Sequence, residues 1–136
     1  MATKLVLIVE DEPDNREIIR TVVEDIMGHE AALATDGKDA LAAIGQRVPD
    51  LILMDLMMPV LNGFEAIQAL KAQDATSGIP VIAISALSRA RDHQQALDAG
   101  ANDYISKPFD LDLLAEKIAG LLSAADAAGG TGALGD

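Results

Sequence analysis

The chain has 136 residues, enough for one domain, and is 50% hydrophobic but only 2% aromatic, so any core must be aliphatic. A formal net charge of −12 sets the chain against nucleic acid and anionic membrane surfaces, and makes direct DNA binding a poor reading. With no cysteine, disulfides, thiolate catalysis and Cys-ligated zinc are excluded.

The N-terminus, Met-Ala-Thr-Lys, runs into the apolar stretch Leu5–Val9, which is too short for a secretory signal and is followed at once by acids. No apolar run approaches the ~20 residues that span a bilayer. These features predict a cytoplasmic protein with no membrane insertion.

Leu5–Val9 is the first predicted strand. A helix follows, with Ile18, Val22 and Ile26 recurring every four residues, Ile19, Val23 and Met27 beside them, and Gly28 placed to end it. A weak strand over 31–34 precedes a second helix after Asp36-Gly37, with Leu41 and Ile44 inward. The third strand, 51–56, is strongly apolar except for Asp55. A third helix follows Asn62-Gly63, with Phe64, Ile67 and Leu70 on one face. Strand four is 81–84; a fourth helix runs from about Ser88 to Ala99 and stops at Gly100. A weak fifth strand at 104–105 leads to a last helix with Leu111, Leu114, Ile118 and Leu121 on one stripe. From Ser123 the chain reads SAADAAGGTGALGD, and a frayed or disordered tail is expected over 123–136. Asp14, Asp36, Asn62 and Asp110 read as helix caps. His29 and His93 read as surface residues.

Continuous apolar strands alternating with helices predict an α/β fold, a parallel sheet covered on both faces. In such sheets ligands gather beyond the carboxyl ends of the strands. Glu10 and Asp11 follow the first strand, Asp55 ends the third, Ser85 ends the fourth and Lys107 follows the fifth. If those strands are neighbours, three carboxylates, a hydroxyl and an ammonium converge. Crowded carboxylates need a cation, and oxygen ligands without His or Cys favour Mg²⁺. A carboxylate beside Mg²⁺ can attack phosphorus, while Lys107 and Ser85 are suited to neutralise the transferring oxygens.

These residues resemble the response-regulator receiver domain of two-component signalling, in its stand-alone, chemotaxis-type form. The resemblance covers about residues 4–122 and rests on VEDE at 9–12, LMDLMMP at 53–59, NG at 62–63, ISA at 84–86 and YISKPF at 104–109. It implies a doubly wound (βα)5, flavodoxin-like three-layer sandwich of strand order 2-1-3-4-5, with the receiver domain over 1–122. It also implies that Asp55 is the phosphoacceptor. Asp11 would ligate Mg²⁺ directly, Glu10 would hold it through water, and Met57 would give its backbone carbonyl. Ser85 and Tyr104 would be the switch residues and Lys107 the phosphate-binding lysine, with a cis bond to Pro108.

The implied partners are a histidine kinase or histidine phosphotransfer protein upstream and an effector protein downstream. The chain would be a monomer or a weak phosphorylation-dependent dimer. The face that usually changes would include Arg89, Arg91, Tyr104 and Phe109. Apolar Met57 and Leu87 would flank the phosphoryl group without orienting a water, so a long-lived phosphoprotein is expected. A turnover phosphohydrolase would want a second Asp where Met57 stands. A flavin-binding relative of the fold would not carry EDEPDN after its first strand. The chain therefore reads as a signalling protein and not an enzyme acting on an external substrate.

Overall fold

The computed structural model describes the backbone of residues 3–57, 62–86 and 89–135, and side chains within those ranges up to residue 124. Its strands are β1 (Leu5–Val9), β2 (Glu30–Ala34), β3 (Leu51–Asp55), β4 (Val81–Ser85) and β5 (Asp103–Ser106). They form one parallel sheet of order β2-β1-β3-β4-β5, the doubly wound architecture that the alternating pattern predicts.

Each strand divides its side chains between two cores. Leu7, Val9, Ile52, Met54, Val81, Ala83 and Tyr104 face one side, under α2 (Gly37–Gln46), α3 (Gly63–Lys71) and α5 (Ala90–Ala99). Val6, Ile8, Leu51, Leu53, Ile82, Ile84 and Ile105 face the other, under α1 (Pro13–Thr21) and α6 (Leu111–Gly135). Because both faces are covered, the inner strands are apolar without alternation. The weak β2 is an edge strand, where one row of backbone groups and part of the side chains stay near water.

Local chemistry sets the boundaries. Asp36 caps α2 by accepting from the Asp39 N–H at 2.7 Å. Asn62 and Glu65 form a reciprocal capping box at the start of α3. Asp110 accepts from the N–H groups of Asp112 and Leu113 ahead of α6. Asp14 is not a cap; it lies inside the first turn of α1. Gly28 (φ 74°) and Gly100 (φ 123°) take the left-handed backbone that lets the first helix and α5 stop.

Several expectations are corrected. α1 passes directly into a π-helical turn, Val22–Ile26. Ile19, Val22, Val23 and half-buried Met27 pack inward while Ile18 and Ile26 are exposed. A one-turn helix α4 (Asp74–Ser77) precedes β4. In α6 the buried stripe is Leu114, Ile118 and Leu122; Leu111 is exposed. The backbone of α6 runs as helix to Gly135. No helix among the described residues is long and apolar enough to cross a membrane.

Candidate functional site

The carboxyl edge of the sheet is prolonged by one residue on three strands. The Glu10 N–H donates to the Ala34 carbonyl at 3.0 Å, that of Leu56 to Ile84 at 3.0 Å, and that of Lys107 to Ser85 at 2.8 Å. These bonds fix where the chain leaves each strand, and therefore where the polar residues stand. The Lys107–Pro108 peptide is cis.

Glu10, Asp11 and Asp55 come together as predicted: one carboxylate oxygen from each lies within 4.8 Å of the others. Glu10 is 1% exposed and Asp55 3%, whereas Asp11 is exposed. Lys107 reaches into this group, with its Nζ 2.8 Å from Glu10 Oε1 and 3.2 Å from Asp55 Oδ2. The remaining carboxylate oxygens are held by backbone. The Glu12 N–H donates to Glu10 Oε2 at 3.0 Å, and the Met57 N–H to Asp55 Oδ1 at 3.0 Å. Arg16 Nη1 donates to the Glu10 carbonyl at 2.9 Å, tying the β1–α1 turn to the helix that follows.

Burial pushes the Glu10 carboxyl up to about 7 from its ordinary 4.5. The bond from Lys107 opposes this rise, and the bond and charge of Asp55 add to it. For Lys107, burial disfavours the ammonium, but the bond to Glu10 and the charges of Asp55 and Glu10 outweigh it and the group is raised. One ammonium thus serves two buried carboxylates.

The donor set fits a hard divalent cation. It consists of carboxylate oxygens with no nitrogen or sulfur ligand. Glu10 Oε1 is buried, and the Lys107 ammonium at 2.8 Å is its ion-pair partner. A buried carboxylate oxygen with one ion-pair partner keeps lone pairs that a cation can take.

Ser85 is fully buried at the end of β4. Ser85 and Tyr104 alternate onto the same face of the sheet on the adjacent strands β4 and β5. Burial pushes the Tyr104 phenol up, the bond to Ser85 pulls it back, and the charge of Asp92 raises it further. Met57 is 57% exposed beside Asp55, and its side chain offers no good hydrogen-bonding group. Leu87, its expected counterpart, lies outside the described residues.

Three contributors were not singled out from sequence. The Met57 and Glu12 amides orient carboxylates, and a backbone donor leaves no mark in a sequence. Gly63 is packed so closely that a Cβ there would lie 2.4 Å from the Asp55 carbonyl oxygen. Its signal was present, since Asn62-Gly63 marks a turn, but a turn does not reveal what the glycine touches. His93, read as a surface residue, is exposed yet lies against Tyr104 with ring centroids 4.6 Å apart.

Comparison with known proteins agrees with this geometry. Residues 6–119 match the family model of the response regulator receiver domain. The "DNA-binding dual master transcriptional regulator RpaA" of Synechocystis is 36% identical over 121 residues, which are 89% of this chain and 50% of that protein. The chain thus spans about half the length of this regulator. Protein PilH of Pseudomonas aeruginosa is 36% identical over 118 residues, 87% of this chain and 97% of PilH. Among solved structures, the receiver domain of sensor histidine kinase PA1611 from P. aeruginosa, "with magnesium ion coordinated in the active site cleft", superposes with a TM-score of 0.82. It is 33% identical and covers 90% of this chain and 99% of that one.

Proposed function

Because the chain belongs to the response regulator receiver domain family, we propose that it is a phosphorylation-activated switch in which Asp55 accepts a phosphoryl group in a Mg²⁺-dependent reaction. The observation that carries this reading is the placement of Asp55: a buried carboxylate at the end of β3, beside Glu10 and Asp11 and bonded to the Lys107 ammonium. A charge in that position is costly unless it is used or neutralised. The module signals and does not turn over an external substrate.

Glu10, Asp11 and Asp55 would hold the cation, with the Met57 carbonyl as a fourth protein ligand. Bound there, Mg²⁺ supplies positive charge to the phosphoryl oxygens and lowers the repulsion met by an anionic nucleophile. Asp55 attacks phosphorus through one carboxylate oxygen. The new O–P bond forms as the P–N bond of a donor phosphohistidine breaks, and the imidazole nitrogen leaves with the electron pair. The Met57 N–H keeps Asp55 from rotating by holding Oδ1. Lys107 bonds the phosphoryl oxygens, and Ser85 donates its hydroxyl to one of them, with Tyr104 on the same face of the neighbouring strand following Ser85. The donor is a histidine kinase or a phosphotransfer protein, and the output is a change in protein–protein contacts on the α5–β5–α6 face, where Arg89, Arg91, Tyr104 and Phe109 lie.

The test is stoichiometric labelling by acetyl phosphate in Mg²⁺, lost on chelation and in Asp55→Asn. Equal labelling of Asp55→Asn and the parent would show that Asp55 is not the acceptor.

A further inference from the structure

Tyr104 sits on β5, an edge strand, yet is only 5% exposed. Among the described residues, α5 contributes to its cover. The buried residues that α5 and its C-terminal turn present to this core are small ones, Ala96, Ala99 and Ala101, besides Asp92. Alanine methyls are too short to close over a phenol ring. His93 does so instead: its ring lies on that of Tyr104 with centroids 4.6 Å apart and planes 31° apart. That spacing belongs to a tilted aromatic pair, which attracts beyond mere burial. An exposed helical histidine with nothing to hold would extend into water, yet here the imidazole lies on the ring beneath it.

We propose that His93 is a positioning residue that holds Tyr104 in its buried orientation beside Ser85 and thereby sets the resting balance of the switch. This rests on the receiver reading above for its consequence, though not for the contact itself. Tyr104 and Ser85 lie on the same face of neighbouring strands, so whatever fixes the phenol also shapes the surroundings of the hydroxyl that is to meet the phosphoryl group. An aromatic pair of this class biases a two-position side chain by about two- to tenfold. Without His93, Tyr104 would spend a correspondingly larger fraction of time turned toward solvent.

The sequence provides a clean probe, since Tyr104 is the one tyrosine and there is no tryptophan. Ultraviolet-excited emission of the intact chain therefore reports Tyr104 alone. Acrylamide quenching is measured in Mg²⁺-free, unphosphorylated protein for the parent, His93→Ala, His93→Gln and His93→Phe. The expected result is a quenching constant at least about twofold higher in the Ala and Gln variants, with parent-like protection restored by the planar ring of Phe. A two- to tenfold loss of this bias lowers the melting temperature by no more than about 2–6 °C, so all four proteins stay folded at the temperature of the quenching measurement. Equal quenching in parent and His93→Ala overturns the proposal, as does full protection by Gln, which has bulk without a ring. Acetyl-phosphate labelling of the same proteins is scored separately. Absence of labelling in the parent refutes the receiver reading, whereas unchanged quenching refutes the clamp.

Discussion

Gly63 offers the sharpest test of how the site is held. A Cβ at this position would stand 2.4 Å from the Asp55 carbonyl oxygen, 2.7 Å from Leu56 Cα and 3.0 Å from the Asp55 carbonyl carbon. All three are backbone atoms, which cannot swing aside as a side-chain tip can. Gly63→Ala must therefore lift the start of α3 off the end of β3, straining the Gly63 N–H bond to the Leu56 carbonyl (3.2 Å) and displacing Asp55. Overpacking of this kind costs about 1–3 kcal/mol, or about 3–12 °C in melting temperature for a chain of this size. Gly45→Ala is the matched control. Gly45 is exposed in the last turn of α2, with nothing within 4 Å of its would-be Cβ. Alanine there removes unfolded-state entropy and stabilises by about 0.4–1 kcal/mol. The two Gly→Ala changes should thus shift the circular-dichroism melt in opposite directions in chelator-containing buffer. If Gly63→Ala melts at or above the parent, the close approach of α3 to Asp55 is wrong. If both variants fall alike, the loss has some cause other than the clash.

Three further outcomes are expected. Glu10 is raised in the folded state, so its contribution to stability is present in full below 4.5 and is lost as pH rises through about 7; this term is at most about 3 kcal/mol. In metal-free protein Lys107→Met removes the counter-charge of Glu10, so urea melts should show a loss of about 1–3 kcal/mol at pH 8 that shrinks by at least about half at pH 5. A loss independent of pH would mean that Lys107 does not compensate Glu10. Saturating Mg²⁺ should raise the melting temperature, through a stabilisation of about 2.7 kcal/mol at a hundredfold excess over Kd. Asp11→Asn, at an exposed carboxylate with little packing to lose, should cut that rise by more than about half, as read by thermal melts across a Mg²⁺ titration. Finally, Met57 offers nothing beside Asp55 to orient a water, so the phosphorylated protein should decay over many minutes or longer; a half-life of seconds, followed by loss of label, would contradict this.

The inner strands were legible because a strand buried on both faces has to be apolar throughout, and 51–56 shows this with one intrusion, Asp55. That intrusion also made the site legible, since an acid among LILM and LMM needs a reason to be there. What escaped was set by geometry that the residue order does not encode. Of the two adjacent rows that the spacing offers in the first helix, the one through Ile19, Val23 and Met27 packs inward together with Val22, and residue order does not choose between them. α4 is four residues, too short to show any period. Lys107 could be matched to Asp55 by resemblance, but its contacts to Glu10 and Asp55 bridge 97 and 52 positions respectively and become visible only once β5 is placed at the sheet edge. His93 escaped for the opposite reason: on a helix rich in polar residues it looks like solvated surface, and only the crossing of α5 over β5 puts Tyr104 beneath it.

The charge balance at the site argues for cation dependence without appeal to any relative. In the arrangement described, one ammonium faces two buried carboxylates, with a third carboxylate exposed nearby. That balance is already strained, since Glu10 is held up to about 7 despite its ion pair with Lys107. Converting Asp55 to an acyl phosphate would exchange one negative charge for about −1.5 to −2 on the phosphoryl oxygens. Lys107 would have to serve these as well as Glu10, and the chain as a whole carries a net −12. The field of the protein therefore works against loading unless positive charge enters with the phosphoryl group. A divalent cation on Glu10, Asp11 and Asp55 supplies it where the deficit arises and frees Lys107 from neutralising Glu10. Acetyl-phosphate labelling should then follow Mg²⁺ occupancy steeply, and raising monovalent salt in the presence of chelator should not restore it, because a screening atmosphere cannot enter a site whose two central carboxylates are almost wholly buried.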